Sequence, residues 1–185
     1  ALEKVGLFDE DFFIFFEETD LCHRLWLAGY KIVYIPSSII YHYEAVDTNK
    51  QMKDYTRNYL SFRNRICSFI KNLETLNVLK IFTVLFAVYL FLLIFYIISF
   101  KFYLVKAIIA GIIWNIKNLS MTLRKRREIQ GGRKINDKNL FKSIKRNPPF
   151  VYYYYLFTTL KNLKNERFLE EKGKRRPLPP RGYVH

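Results

Sequence analysis

Cysteine is scarce: Cys22 and Cys67 are the only two in 185 residues, and they lie in dissimilar settings. No CxxC and no Cys/His cluster occurs, so there is no zinc-type ligand spacing. Both thiols read as reduced groups of a cytoplasm-facing protein, with a disulfide between them as the minor alternative. Acidic residues are also few, 16 against 31 Lys and Arg, for a net charge of +15. There is no internal repeat. Residues Ala1 to Gly6 lack the basic start and apolar run of a secretory signal. The chain enters abruptly, without Met, on what reads as the middle of a domain. It is not poor in hydrophobics, which make up 50% of it, with 18% aromatic; that excludes global disorder.

The basic excess suits anionic partners: nucleic acid, acidic lipid headgroups or phosphorylated substrates. Its position decides among them, because it flanks a greasy segment. Ile81 to Phe100 contains no charged residue, and 20 apolar residues suffice for a helix to cross ~30 Å of hydrocarbon. Lys101 and Lys106 interrupt, then Ala107 to Ile116 forms a shorter apolar run around Gly111. Lys71 and Lys80 precede the block, and Lys117 and Arg124 to Arg127 follow it. Keeping both basic flanks on the cytoplasmic side favours a helical hairpin over residues 76–119. The Arg124 to Arg127 cluster is expected to meet anionic lipid. A long apolar segment argues against a free nucleic-acid module.

Upstream, residues 49–75 read as a basic amphipathic helix. Met52, Tyr55, Tyr59, Phe62, Ile66, Phe69 and Ile70 form its apolar stripe, with Arg57, Arg63, Arg65 and Lys71 alongside. It would pack on the preceding domain, lie at a membrane surface, or do both. Downstream, residues 120–185 read as a basic tail. Tyr152 to Tyr155 mark an aromatic helix suited to a membrane interface or to packing on the protein, and Pro177, Pro179 and Pro180 mark a flexible end.

Residues 1–48 carry the chemistry. Phe12 to Phe16 is a short apolar run fit for a buried strand or loop, and it leads into Glu17, Glu18 and Asp20. Leu21, Leu25 and Ala28 share a helical face, with Gly29 placed to end the helix. Lys31 to Ile35 and Ile39 to Tyr43 are predicted strands, and His42 lies at the end of the second. Clustered carboxylates can take a proton from a hydroxyl, and carboxylates with a histidine can share a divalent metal. Acidic residues are equally favoured at a helix start by its dipole alone. These residues therefore fit a transferase, a glycosidase, a metal hydrolase, or a plain helix cap.

Their order narrows the choice. Gly6-Leu-Phe-Asp9-Glu-Asp-Phe-Phe13, Glu17-Glu18-Thr-Asp20-Leu-Cys-His-Arg24, Ala28-Gly29-Tyr30, Pro36 and His42 resemble the C-terminal motif block of family-2-type GT-A glycosyltransferases, particularly the rhamnosyltransferase-like group. The Arg57-Asn58 and Arg63-Asn64 pairs and the apolar block with its basic tail are also similar to that group. The resemblance implies an α/β fragment, the C-terminal portion of a GT-A fold, followed by membrane-associated α-helices. The donor-binding half would be missing, since no Gly-rich phosphate loop or N-terminal β-α-β run occurs; this chain alone would then be inactive.

Several roles follow from the resemblance. Glu18 takes the position of the base, where the family has Asp, with Glu17 in reserve. Asp20, Asp9 and Arg24 fall on the acceptor side, and Asp20 alternatively caps the helix. His42 would help hold a divalent metal, Mg or Mn, shared with the missing half. Asp9-Glu10-Asp11 spells D-x-D, but inside the G-x-F-D-E-x-F-F piece it belongs to the acceptor-side loop and not to the metal. His23 has no motif support and is expected to be exposed. The implied reaction is inverting transfer from a nucleotide-sugar to a lipid-linked or cell-surface glycan at a membrane with anionic lipids, with no nucleic acid involved. The competing reading is a non-enzymatic basic membrane-binding protein.

Overall fold

A computed structural model describes residues 1–33, 35, 37–38 and 52–144, of which residues 1–143 form one compact unit. Its elements are α1 (Leu2–Val5), α2 (Glu17–Leu27), α3 (Asp54–Asn72), α4 (Thr75–Ile98), α5 (Phe102–Lys117), α6 (Leu119–Gly131) and α7 (Asp137–Ile144). His42, Ile39 to Tyr43, the four tyrosines and the Pro-rich end lie outside the described residues.

The expected α/β fragment is not what forms. Among the described residues every regular element is a helix and none is a strand. Lys31 to Val33 has no secondary structure, and Val33 is largely exposed. A lone extended segment leaves its backbone donors and acceptors without ladder partners, so β-branched composition alone does not make a strand. Phe12 to Phe16 is a turn, with left-handed backbone at Phe13, Phe15 and Phe16 (φ 59°, 67° and 68°). Phe12 is buried with Lys71 of α3 over its ring and Phe16 meets Phe69 of α3, whereas Phe13 is largely exposed; none of the run pairs in a sheet.

Helix α2 starts where its acidic first turn meets the positive end of the helix dipole. It ends at Leu27, and Gly29 follows at φ 88°, a conformation glycine takes without steric cost. Helix α3 is the spine. It packs against α5 and α6 on one side and touches α2 on the other. This explains why Arg63, Asn64, Ser68, Lys71 and Asn72 are buried on it as well as Phe62 and Ile66.

Helix α4 has 24 residues and a mean hydropathy of 2.8, and only 6% of its most apolar window is buried. It is the one described helix long and apolar enough by itself to cross a membrane. Tyr89 joins it to the core, where its ring lies edge-on to Phe62 at 5.3 Å beside Ala107 and Ile108. A turn at Ser99 to Lys101, with Phe100 at φ 56°, leads into α5. Gly111 lets α5 approach α3 closely: a Cβ there would sit 3.1 Å from the Arg63 backbone nitrogen. At Asn118 the chain bends by 68° into α6. The Trp114 carbonyl at the end of α5 accepts from both the backbone N–H (2.9 Å) and the side-chain amide (2.8 Å) of Asn118.

Candidate functional site

The acidic turn and the head of α2 are assembled on α3. Asp20 is completely buried. One of its carboxylate oxygens accepts from Arg24 Nε (3.0 Å); the other accepts from Asn72 Nδ2 (2.7 Å) and lies 3.0 Å from Lys71 Nζ. The Arg24 guanidinium also donates to the Val5, Gly6 and Leu7 carbonyls, so it ties the segment after α1 to α2. Lys71, 1% exposed at its side chain, pairs with Asp9 as well and lies over the Phe12 ring, 4.3 Å from its centroid. From α6, Lys125 reaches Asp9 and Asp11, at 2.5 Å each.

Lys71, Lys125 and Arg24 thus form one continuous ionic cluster with Asp9, Asp11 and Asp20. Burial alone would raise the Asp9 carboxyl, but Lys71 and Lys125 outweigh it and hold it down at about 2. Burial would likewise lower the Lys125 ammonium, yet Asp11 and Asp9 keep it above the usual lysine range. An open cleft of about 620 Å³ runs beside the cluster, lined by Gly6 to Asp11, Arg24, Lys71, Arg124 and Lys125. A separate groove of about 410 Å³ between α3, α4 and α5 is apolar, and no acidic residue lines it.

The two glutamates stand apart from this cluster. Glu18 is exposed. Glu17 is half-buried, and its Oε2 is enclosed without a hydrogen-bond partner. Burial, and secondarily the charge of Glu18, raises the Glu17 carboxyl above its ordinary value, while a backbone hydrogen bond opposes the rise. An unoccupied carboxylate lone pair with raised proton affinity is what a base needs near neutral pH. The structure therefore sorts the predicted residues into two sets. Asp9, Asp20 and Arg24 are tied into ion pairs, whereas Glu17 and Glu18 are not. His42 falls outside the described residues, so the convergence of the glutamates and the imidazole is not seen. His23, expected to be exposed, is half-buried, and its Nε2 is enclosed without a partner. Burial pushes its imidazole below the ordinary value against the opposing charges of Asp137 and Asp20.

A divalent metal does not fit the described residues. No three His, Cys, Asp or Glu side chains gather among them. The Asp9 and Asp11 carboxylates already hold ammonium groups where a cation would sit. The Arg124 to Arg127 cluster is also not wholly free for lipid: Lys125 turns to the acidic cluster, and Arg126 donates to the Ile70 and Leu73 carbonyls. Arg124 and Arg127 are exposed.

Lys71, Lys125, Asn72 and Asn64 were not picked out by the sequence as site-building residues. The available signal was on α3, where Asn64, Cys67 and Lys71 recur at helical spacing on a face that must be buried. A buried lysine requires a carboxylate.

Comparison with known proteins now adds to the geometry. The family described as Glycosyl transferase family group 2 matches residues 1–121, which runs from the acidic turn through α5. Two Mycobacterium tuberculosis proteins, the N-acetylglucosaminyl-diphospho-decaprenol L-rhamnosyltransferases of two strains, are each 42% identical over 50 residues. That stretch is 27% of this chain and 16% of each relative's length. No solved structure matches.

Proposed function

The chain belongs to Glycosyl transferase family group 2, and from that premise we propose that it forms the acceptor-side part of an enzyme that moves a sugar from a nucleotide-sugar to a lipid-linked or cell-surface glycan. The carrying observation is the Glu17-Glu18 pair at the head of α2, which forms no ion pair among the described residues while Asp9, Asp20 and Arg24 of the same motif block do. Glu18, on the position the motif gives to the base, removes the proton from an acceptor hydroxyl. The oxygen then attacks the anomeric carbon, which inverts as the nucleoside diphosphate leaves. Glu17, with its unoccupied oxygen, is the alternate base. Asp9, Asp20 and Arg24 shape the acceptor side by holding the acidic turn against α2 and α3. Family 2 enzymes commonly use a divalent ion; its ligands would lie outside the described residues, His42 among them, and no step here runs through it.

The rhamnosyl type is supported by the short match to the mycobacterial relatives. Membrane attachment is supported by α4, whose length and apolar exposure suit a lipid environment. Placement of both flanks on one side is supported by Lys71, before the apolar block, and Lys125, after it, which meet on the same carboxylate of Asp9, and the basic excess of those flanks favours the cytoplasmic side. Anionic headgroups would meet the exposed Arg124 and Arg127.

The test is glycosyl transfer by the complete protein, with nucleotide-activated L-rhamnose as donor probe and N-acetylglucosaminyl-diphospho-decaprenol as acceptor probe. Glu18→Gln should lower kcat by at least about a hundredfold and leave membrane association unchanged. Full activity in both Glu18→Gln and Glu17→Gln would remove the base from this pair.

A further inference from the structure

We infer that Asn64 and Arg63 are positioning residues for the Glu17-Glu18 pair, and that through them the placement of α5 sets the placement of the carboxylates. The inference rests on the reading that one of these glutamates is the base.

The turn from Phe12 to Phe16 cannot hold itself. Three of its residues are non-glycine at positive φ, a conformation that persists only where the surroundings impose it. Asn64 imposes it. Fully buried, it sets its amide nitrogen among three carbonyls of that turn, Phe12 (2.9 Å), Ile14 (2.9 Å) and Phe15 (2.8 Å), which share its two N–H groups. Arg63 Nε donates to Asn64 Oδ1 (2.8 Å), which fixes the amide with its nitrogen toward the turn. The Arg63 guanidinium also donates to the Asp11 and Phe12 carbonyls. Phe16, the last residue of the turn and the N-cap of α2, is held by α3 too: its ring meets Phe69 edge-on at 6.4 Å and lies 5.3 Å from the Arg65 guanidinium. Glu17 is the next residue.

On its other side Arg63 is gripped by α5. Its guanidinium stacks over Trp114 at 4.6 Å, its carbonyl accepts from Asn115 Nδ2 (3.0 Å), and its backbone nitrogen passes close to Gly111. The path from α5 to the glutamates is therefore Gly111 and Trp114, then Arg63 and Asn64, then the carbonyls of the turn. A displacement of α5 by a few tenths of an ångström is delivered to the turn that carries Glu17 and Glu18, and misplacement of that order is costly for proton transfer.

The experiment uses the complete protein and two readouts. Backbone hydrogen exchange is followed at residues 12–18 and in the body of α2. In parallel, transfer is measured with the two probes named above. Asn64→Ala, which removes the donor, and Gly111→Ala, which crowds Arg63 from α5, should each speed exchange at residues 12–18 by about tenfold while α2 keeps its protection. Each should lower kcat by about tenfold or more with the KM for the donor within about twofold. Asn64→Gln should recover part of kcat. If Asn64→Ala does not fold, Arg63→Lys, which keeps the charge and loses the fork, is read in the same way. Unchanged exchange at residues 12–18 in the variants that fold would overturn the inference. So would faster exchange with an unchanged kcat, where Glu18→Gln or Glu17→Gln abolishes transfer. If neither glutamate variant affects transfer, the base assignment fails by itself, and the exchange data still decide whether α5 governs the turn.

Discussion

Lys71 Nζ lies 3.0 Å from Asp20 Oδ1, with both side chains essentially removed from solvent, and the same ammonium also serves Asp9. Removing one partner of such a pair strands the others in a low-dielectric setting. Lys71→Met should therefore destabilise the protein by about 3–5 kcal/mol, measured by thermal or denaturant unfolding in detergent. A loss below about 1 kcal/mol would mean that water reaches the cluster.

Acid should dissolve the same cluster late. Asp9 has its folded-state value depressed from 3.8 to about 2. A carboxyl lowered in this way lends stability that is complete above its unfolded value and is lost as pH falls through the folded one. The contribution is about 2 kcal/mol at most, and less after solvent screening. Unfolding followed against pH should show it between pH 3.8 and about 2, and Asp9→Asn should flatten the curve over that window.

Glu17 has the opposite sign. Its carboxyl is raised, first by burial, so the folded state prefers it protonated. Its favourable contribution exists at low pH and vanishes as pH rises through the raised value. Glu17→Gln should thus raise the melting temperature modestly at neutral pH, with the gain shrinking on acidification. A loss of stability at neutral pH would show that the charged form is satisfied.

Gly111→Ala sets two effects against each other. A Cβ would stand 3.1 Å from the Arg63 backbone nitrogen and 3.4 Å from Phe62 Cβ. Overpacking of that kind costs about 1–3 kcal/mol, whereas the helix gains about 1 kcal/mol from alanine. A net loss of about 1 kcal/mol is expected in an unfolding measurement. A net gain would show that α5 can shift away from α3 without penalty.

Much of the helical layout could be read from residue pattern. Glu17, Glu18 and Asp20 announce the start of α2 and Gly29 its end, because capping and dipole effects are local. The stripe from Tyr55 to Ile70 announces α3, and the uncharged run announces α4. The strand expected from Lys31 onward was misread over Lys31 to Val33 for a physical reason: β-branched composition signals fitness for a sheet, whereas a sheet needs partners that composition does not supply. The lipid reading of Arg124 to Arg127 was incomplete because a charge cluster does not disclose that its two middle members, Lys125 and Arg126, face inward. The ionic cluster itself was illegible, since Lys125 finds Asp9 across 116 residues and Lys71 across 62. Among the described residues, Glu17 and Glu18 are the site residues named in advance that stay outside the ion pairs.

That span of 116 residues between Asp9 and Lys125 has a consequence for how the molecule is made. On the ribosome the acidic turn emerges well before Lys125, which follows only after the whole greasy stretch has been synthesised. Until α6 exists and folds back, Asp9 and Asp11 lack that counter-ion, and local contacts cannot finish the turn. Maturation of the acidic turn is therefore coupled to delivery of the apolar helices. A chain stalled or cut before Lys125 would carry Asp9 and Asp11 without that counter-ion.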